Sequence, residues 1–165
     1  MTNCHLVILK KPYLEAILEG RKRIESRFTM TKRAYFGRVC RGDKLFLKES
    51  GGPVCAVAKV AAVRYFENLS PARIADIRRR YNDRIKGGDD IWRSKADCRF
   101  GVLVWLKEVE RIEPVRISKK DWRAWVVLTE KHDFGLLKAK RATWMPKGPK
   151  GESQRSATLP VRSFR

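Results

Sequence analysis

Apolar and polar positions recur along this chain in two rhythms, and the switches between them predict its elements. Residues 6–9 are a short apolar run of strand type. Leu14, Ile17 and Leu18 then recur at helical spacing, with Pro12 suited to a first helical position and Gly20 to a left-handed stop, so a helix over 12–19 is expected. A strand to about Phe28 follows. In it Ile24 belongs to one face, and Arg23, Glu25 and Arg27 to the other, by the two-residue alternation of pleated chain. Lys22 is out of phase with them. To converge with Glu25 and Arg27 it must leave the chain before regular pleating begins, or a bulge must re-aim it.

Residues 29–41 are rich in Thr, Lys and Arg and read as a loop, either bordering a ligand cleft or simply solvated. Gly42 and Asp43 open a strand over 44–48, Gly51-Gly52-Pro53 turns the chain, and 54–65 returns as the second arm of a hairpin. Ser70 is a candidate N-cap with Pro71 at the first helical position, and Leu69 can staple to Ile74. Ile74, Ile77, Tyr81 and Ile85 form the buried face of the helix that follows, leaving Arg73, Arg79, Arg80 and Arg84 on other faces until Gly87-Gly88 ends it. Residues 100–106 are an unbroken apolar run, expected as a strand buried on both sides. A further strand over 111–117 is expected to break at Pro114. Ser118 and Asp121 match a capping box, predicting a short helical turn that carries Trp122 and Trp125 as packing residues.

Charge changes the picture. The 165 residues suit one domain with an appendage, and 38 Lys and Arg against 18 Asp and Glu give a formal net charge of +20. Such a surface repels itself when free and releases counterions on meeting phosphate, so nucleic acid is the first expected partner and anionic membrane the second. No apolar run is long enough to span a bilayer and no secretory signal pattern opens the chain, so a cytoplasmic protein is expected. Cys4, Cys40, Cys55 and Cys98 are scattered with only His5 and His132 for company, which argues against a zinc site and for free thiols. No cofactor is expected, magnesium entering only if the chain were a nuclease. Beyond residue 131 the composition turns basic: Lys138, Lys140, Arg141, Lys147, Lys150, Arg155, Arg162 and Arg165 face Glu152, with Pro146, Gly148, Pro149 and Gly151 breaking regular structure. This tail is expected to contact phosphate, with Trp144 available for stacking, or else to be a solubilising extension.

The stretch from Gly20 to Arg27 spells Gly-x-Lys-x-x-Glu-x-Arg at a helix-to-strand junction, and it resembles the signature of the ASCH domain family of the PUA-like superfamily. The order of hairpin, second helix and buried strand agrees with that family. The resemblance implies an α+β fold, a small PUA-like β-barrel flanked by helices, over residues 1–130, with the basic C-terminal extension over 131–165. It also implies a cleft suited to RNA or a nucleotide base, with Lys22, Glu25 and Arg27 as its candidates. Arg21 and Arg23 are expected to help with backbone phosphates, and Lys48 and Ser50 to lie near the same rim. An ammonium and a guanidinium attract phosphate or base carbonyls, and a carboxylate accepts from an exocyclic amine. The resemblance implies RNA over DNA. Some members of the family remove the acetyl group from N4-acetylcytidine and some are linked to RNA cleavage, which would make Lys22 and Glu25 catalytic. The deacetylating branch carries a threonine where this chain has Glu25, so binding ranks ahead of RNA-directed hydrolysis.

Overall fold

The computed structural model describes residues 2–137. The tail from Lys138, including Trp144, lies outside the described residues. The elements run β1 (Cys4–Leu9), α1 (Lys11–Leu18), β2 (Ile24–Thr29), β3 (Lys44–Glu49), β4 (Val54–Phe66), α2 (Pro71–Ile85), α3 (Asp89–Lys95), β5 (Phe100–Val115) and β6 (Trp125–Leu128). The six strands form one curled, mixed sheet in the order β2-β5-β4-β3-β1-β6, with β1 and β3 parallel and every other neighbouring pair antiparallel. This is the expected α+β, PUA-like architecture.

Two layers of core follow from the strand alternation. Val7, Leu9, Leu45, Leu47, Ala58, Val102 and Val104 share the inner face of the curled sheet, and Leu14 and Ile17 of α1 pack onto it. On the outer face Ile24, Phe28 and Leu103 meet Ile74, Ile77 and Ile85 of α2 and Trp92 of α3. At Gly101 a methyl group would stand 2.8 Å from the Phe28 ring, so only glycine lets β5 and β2 close this layer. Ser70 accepts from the backbone N–H of Arg73 at 3.2 Å, and Leu69 and Ile74 are buried in one cluster, so α2 starts as its sequence predicts.

Four expectations are corrected. The strand expected over 111–117 is the second half of β5, which runs unbroken to Val115; Pro114 falls in the register shift between the Val54–Val115 and Ala56–Arg111 pairs, where no ladder partner faces it. Ser118 opens no helix, because the Asp121 carboxylate accepts from Arg123 and Lys119 instead of capping a turn. Trp125 therefore begins strand β6 rather than riding on a helix. The helix expected to end at Gly87-Gly88 ends at Ile85 with Lys86 in the left-handed region at φ 62°, and Gly88 then caps α3, a helix not anticipated. Beyond residue 130, Leu136 is fully buried in a cluster with Leu6 and Phe46. Among the described residues no helix is long and apolar enough to cross a membrane.

Candidate functional site

The curled sheet leaves a seam between its two ends, β2 on one side and β6 with β1 on the other. A cleft of about 1090 Å³ opens along this seam. Antiparallel register sets Glu25 opposite Val104 and Arg27 opposite Val102, which places both side chains on the inner face at the sheet's edge, where the cleft begins.

Lys22 reaches the same place by the first of the two expected routes. Gly20 adopts φ 80°, the backbone N–H groups of Arg21 and Lys22 both donate to Ala16 O, at 2.9 and 3.0 Å, and β2 begins only at Ile24. Freed from the strand's phase, Lys22 turns inward and is only 4% exposed. Its Nζ donates to Ile24 O at 2.9 Å and to Ile85 O at 2.7 Å, and stands 3.7 Å from Glu25 Oε2. The ammonium thus ties the last turn of α2 to the start of β2, at the helix end whose dipole favours a cation. Burial pushes its pKa down, Glu25 opposes that shift, and the nearby Arg27 charge adds to it.

Glu25 is 6% exposed. Its Oε1 accepts from Arg27 Nε at 3.1 Å, whereas Oε2 is buried without a hydrogen-bond partner among the described residues. Arg27 uses its remaining donors across the seam, giving one to Ile8 O at 2.9 Å, and its guanidinium lies 5.6 Å from the centroid of the Trp125 ring. Tyr35, from the loop over 30–41, packs on the same indole with ring centroids 5.5 Å apart.

Behind Trp125 lies a buried polar chain. Its indole N–H donates to His5 Nδ1 at 3.2 Å, and His5 Nε2 donates to Asp43 Oδ2 at 2.8 Å. That carboxylate also accepts the backbone N–H groups of Asn3 and Cys40, at 2.9 and 2.8 Å. Because Nδ1 is an acceptor here, the imidazole is neutral with its proton on Nε2. Burial lowers the His5 pKa below its ordinary 6.5, with Asp43 opposing and Arg38 adding to the shift.

Of the residues singled out from the sequence, Lys22, Glu25, Arg27 and Ser50 line the cleft, and so does the basic loop through Lys32, Arg33 and Arg38. Arg21, Arg23 and Lys48 do not. Arg21 pairs with Glu19 at the surface, Arg23 is exposed with its backbone held by Arg84 and Leu106, and Lys48 donates to Glu49 O at 3.1 Å. Sequence reasoning missed Trp125, Tyr35, His5 and Asp43 as a unit. The signals were present in the Trp-Val-Val-Leu run of β6, which is strand-like, and in the alternation of β1, which puts His5 on the face of Val7 and Leu9. No group of three or more His, Cys, Asp or Glu stands together among the described residues as metal ligands would.

Comparison with known proteins agrees with this fold. A family model for the ASCH domain matches residues 7–146. The crystal structure of an ASCH protein from Zymomonas mobilis has a TM-score of 0.63 at 13% identity, covering 85% of this chain and 95% of that one. A tyrosine-to-phenylalanine mutant from the same organism matches with a TM-score of 0.63 at 13% identity over 85% of this chain and 98% of its own. A serine-to-alanine mutant gives 0.61 at 14% identity over 82% and 94%. At such identities the likeness is one of fold. No curated protein matches the chain in sequence. The family match spans most of the chain and the fold is shared along nearly the whole length of these structures, so the chain belongs to the ASCH domain family.

Proposed function

We infer that the seam cleft binds RNA, or a nucleotide of it, by seating one base between Trp125 and the Glu25 carboxylate. The observation that carries this reading is Glu25 Oε2. A buried carboxylate oxygen without a donor is costly, and a ligand that brings an N–H to it recovers that cost. The exocyclic amine of cytosine, adenine or guanine is such a donor. Around it, among the described residues, the cleft lining carries eight cationic side chains and no carboxylate besides Glu25, a charge balance that suits a phosphate-bearing strand. Trp125 and Tyr35, 4% and 8% exposed, line the cleft with the part of their rings left uncovered and give a base an apolar surface to abut. The basic tail would add contact with phosphates that is indifferent to sequence.

The experiment is titration of the protein with the four ribonucleoside 5′-monophosphates, with wild type and Glu25→Gln compared at one ionic strength. The expected result is roughly tenfold or greater loss for the three amine-bearing nucleotides and little change for UMP, which lacks the amine. Equal affinities of wild type and variant for all four nucleotides would refute the base-reading role.

One observation favours a second reading, an RNA-directed hydrolase acting as an acylated-cytidine amidohydrolase or a ribonuclease. Burial lowers the Lys22 pKa, which favours an amine able to take a proton. Against it, Nζ is already committed to Ile24 O, Ile85 O and the flank of Glu25. Incubation with acylated cytidines and with RNA, with and without magnesium, decides it: product lost in Glu25→Gln but kept in a tail truncation would place the chemistry in the cleft.

A further inference from the structure

Trp122 stands at the rim of the same cleft and is 99% exposed; Met30 is the only other large hydrophobic side chain that is exposed among the described residues. Its loop is nevertheless held at both ends of the indole. The Asp121 carboxylate accepts from Lys119 Nζ at 2.7 Å and from the Arg123 backbone and guanidinium, each at 2.9 Å. Ala124 O accepts from Ile8 N at 2.9 Å, fixing the next residue but one to β1. The backbone is pinned while the ring is uncovered by the described residues, so an aromatic partner could stack on it with little further ordering of the chain.

The rim around it is cationic. Lys10, Arg33, Arg38 and Lys95 line the cleft and make no ion pair with another described residue. The cleft's 1090 Å³ also lies above the roughly 300–1,000 Å³ that holds one drug-sized ligand, leaving room beyond a single base. Trp122 lies three residues before Trp125, so their Cα atoms are at most roughly 11 Å apart. Two indoles at that reach, one inside the cleft and one at its lip, suit neighbouring bases of an extended strand.

We propose that Trp122 is a stacking platform for a second nucleotide, so that the cleft takes two consecutive nucleotides of a single strand, one seated against Trp125 and the next laid on Trp122. This rests on the base-reading role of the cleft. A duplex cannot be bound in this way, because its bases are already stacked on one another.

The test uses the full chain, with a mixed-sequence RNA hexamer, the same hexamer annealed to its complement, and CMP as probes, at fixed ionic strength. Trp122→Ala is expected to weaken hexamer binding roughly tenfold, the scale of one base stack, while CMP and the duplex change less than about twofold. Trp122→Phe should keep most of the hexamer affinity, since it keeps a face to stack on. The tail is present in every variant and cancels from the comparison. Unchanged hexamer affinity in Trp122→Ala, an equal loss for the duplex, or a Trp122→Phe variant as weak as Trp122→Ala would each overturn the proposal. Failure of the underlying base-reading role has a different signature, in which Glu25→Gln leaves CMP binding unchanged.

Discussion

Arg27 on β2 donates to the carbonyl of Ile8 on β1 at 2.9 Å, bridging the seam of the curled sheet, where no strand pairing among the described residues does so. The same guanidinium holds Glu25 Oε1 and lies against Trp125. The candidate site is therefore also the clasp of the fold, and the groups proposed to bind there are structural groups as well.

Arg27→Lys tests the clasp. A lysine keeps the charge but has no planar fork to serve Glu25 and Ile8 together. Without the Ile8 bond and the indole packing, stability in urea unfolding should fall by about 1–2 kcal/mol. Trp125 should become wetter, seen as a red shift of tryptophan emission relative to a Trp122→Ala background. A variant with unchanged stability and emission would show that the seam is held elsewhere.

Lys22 and Glu25 should behave as one unit. Lys22→Met leaves Ile24 O and Ile85 O without their donor and takes from a buried carboxylate one of its two flanking cations, and is expected to cost about 3 kcal/mol or more. Glu25→Gln alone should cost less, since Arg27 remains beside it. In the double variant the penalties should fall short of their sum by about 1 kcal/mol or more, the mark of two groups in one network. Strict additivity in denaturant melts would contradict the coupling.

How far the sequence reveals all this depends on the range of the interactions involved. Gly20, the strand phase of Ile24, Glu25 and Arg27, and the cap at Ser70 are local, and local rules place them. Lys22 has two routes open to it in the sequence because its direction is decided by Ala16 O and Ile85 O, the latter 63 residues away. The capping-box match of Ser118 and Asp121 predicts a helix at Trp125; what overrides that local preference is the pairing of β6 with β1, from the far end of the chain. The His5–Trp125 bond spans 120 residues, and no spacing rule reaches that far.

His5 makes the site sensitive to acid. Its folded pKa lies below the ordinary 6.5, so the unfolded chain takes up a proton first as pH falls. The contribution is therefore fully present above pH 6.5 and is lost on acidification toward the folded pKa, at up to about 1.4 kcal/mol per pH unit. Protonated His5 would also turn an N–H toward the Trp125 N–H, so ligand affinity should decline over the same range. His5→Phe, less stable throughout, should show a flatter stability profile between pH 7 and pH 5 than wild type. Parallel profiles would assign the acid sensitivity to other groups.

Salt separates the cleft from the tail. Residues 147–165 carry Lys147, Lys150, Arg155, Arg162 and Arg165 against Glu152, and they lie beyond the matched family domain, which ends at 146. If the tail binds phosphate, deleting 147–165 should reduce the slope of log affinity against log salt for a long single-stranded RNA by at most roughly 3.5, or about 0.7 for each phosphate no longer neutralised. A mononucleotide reaches the cleft without needing the tail, so its affinity should be the same in both forms. A deletion that leaves the RNA slope unchanged would make the tail a spectator. One that weakens mononucleotide binding would show instead that residues beyond 146 belong to the site, and the cleft would then have to be redrawn to include them.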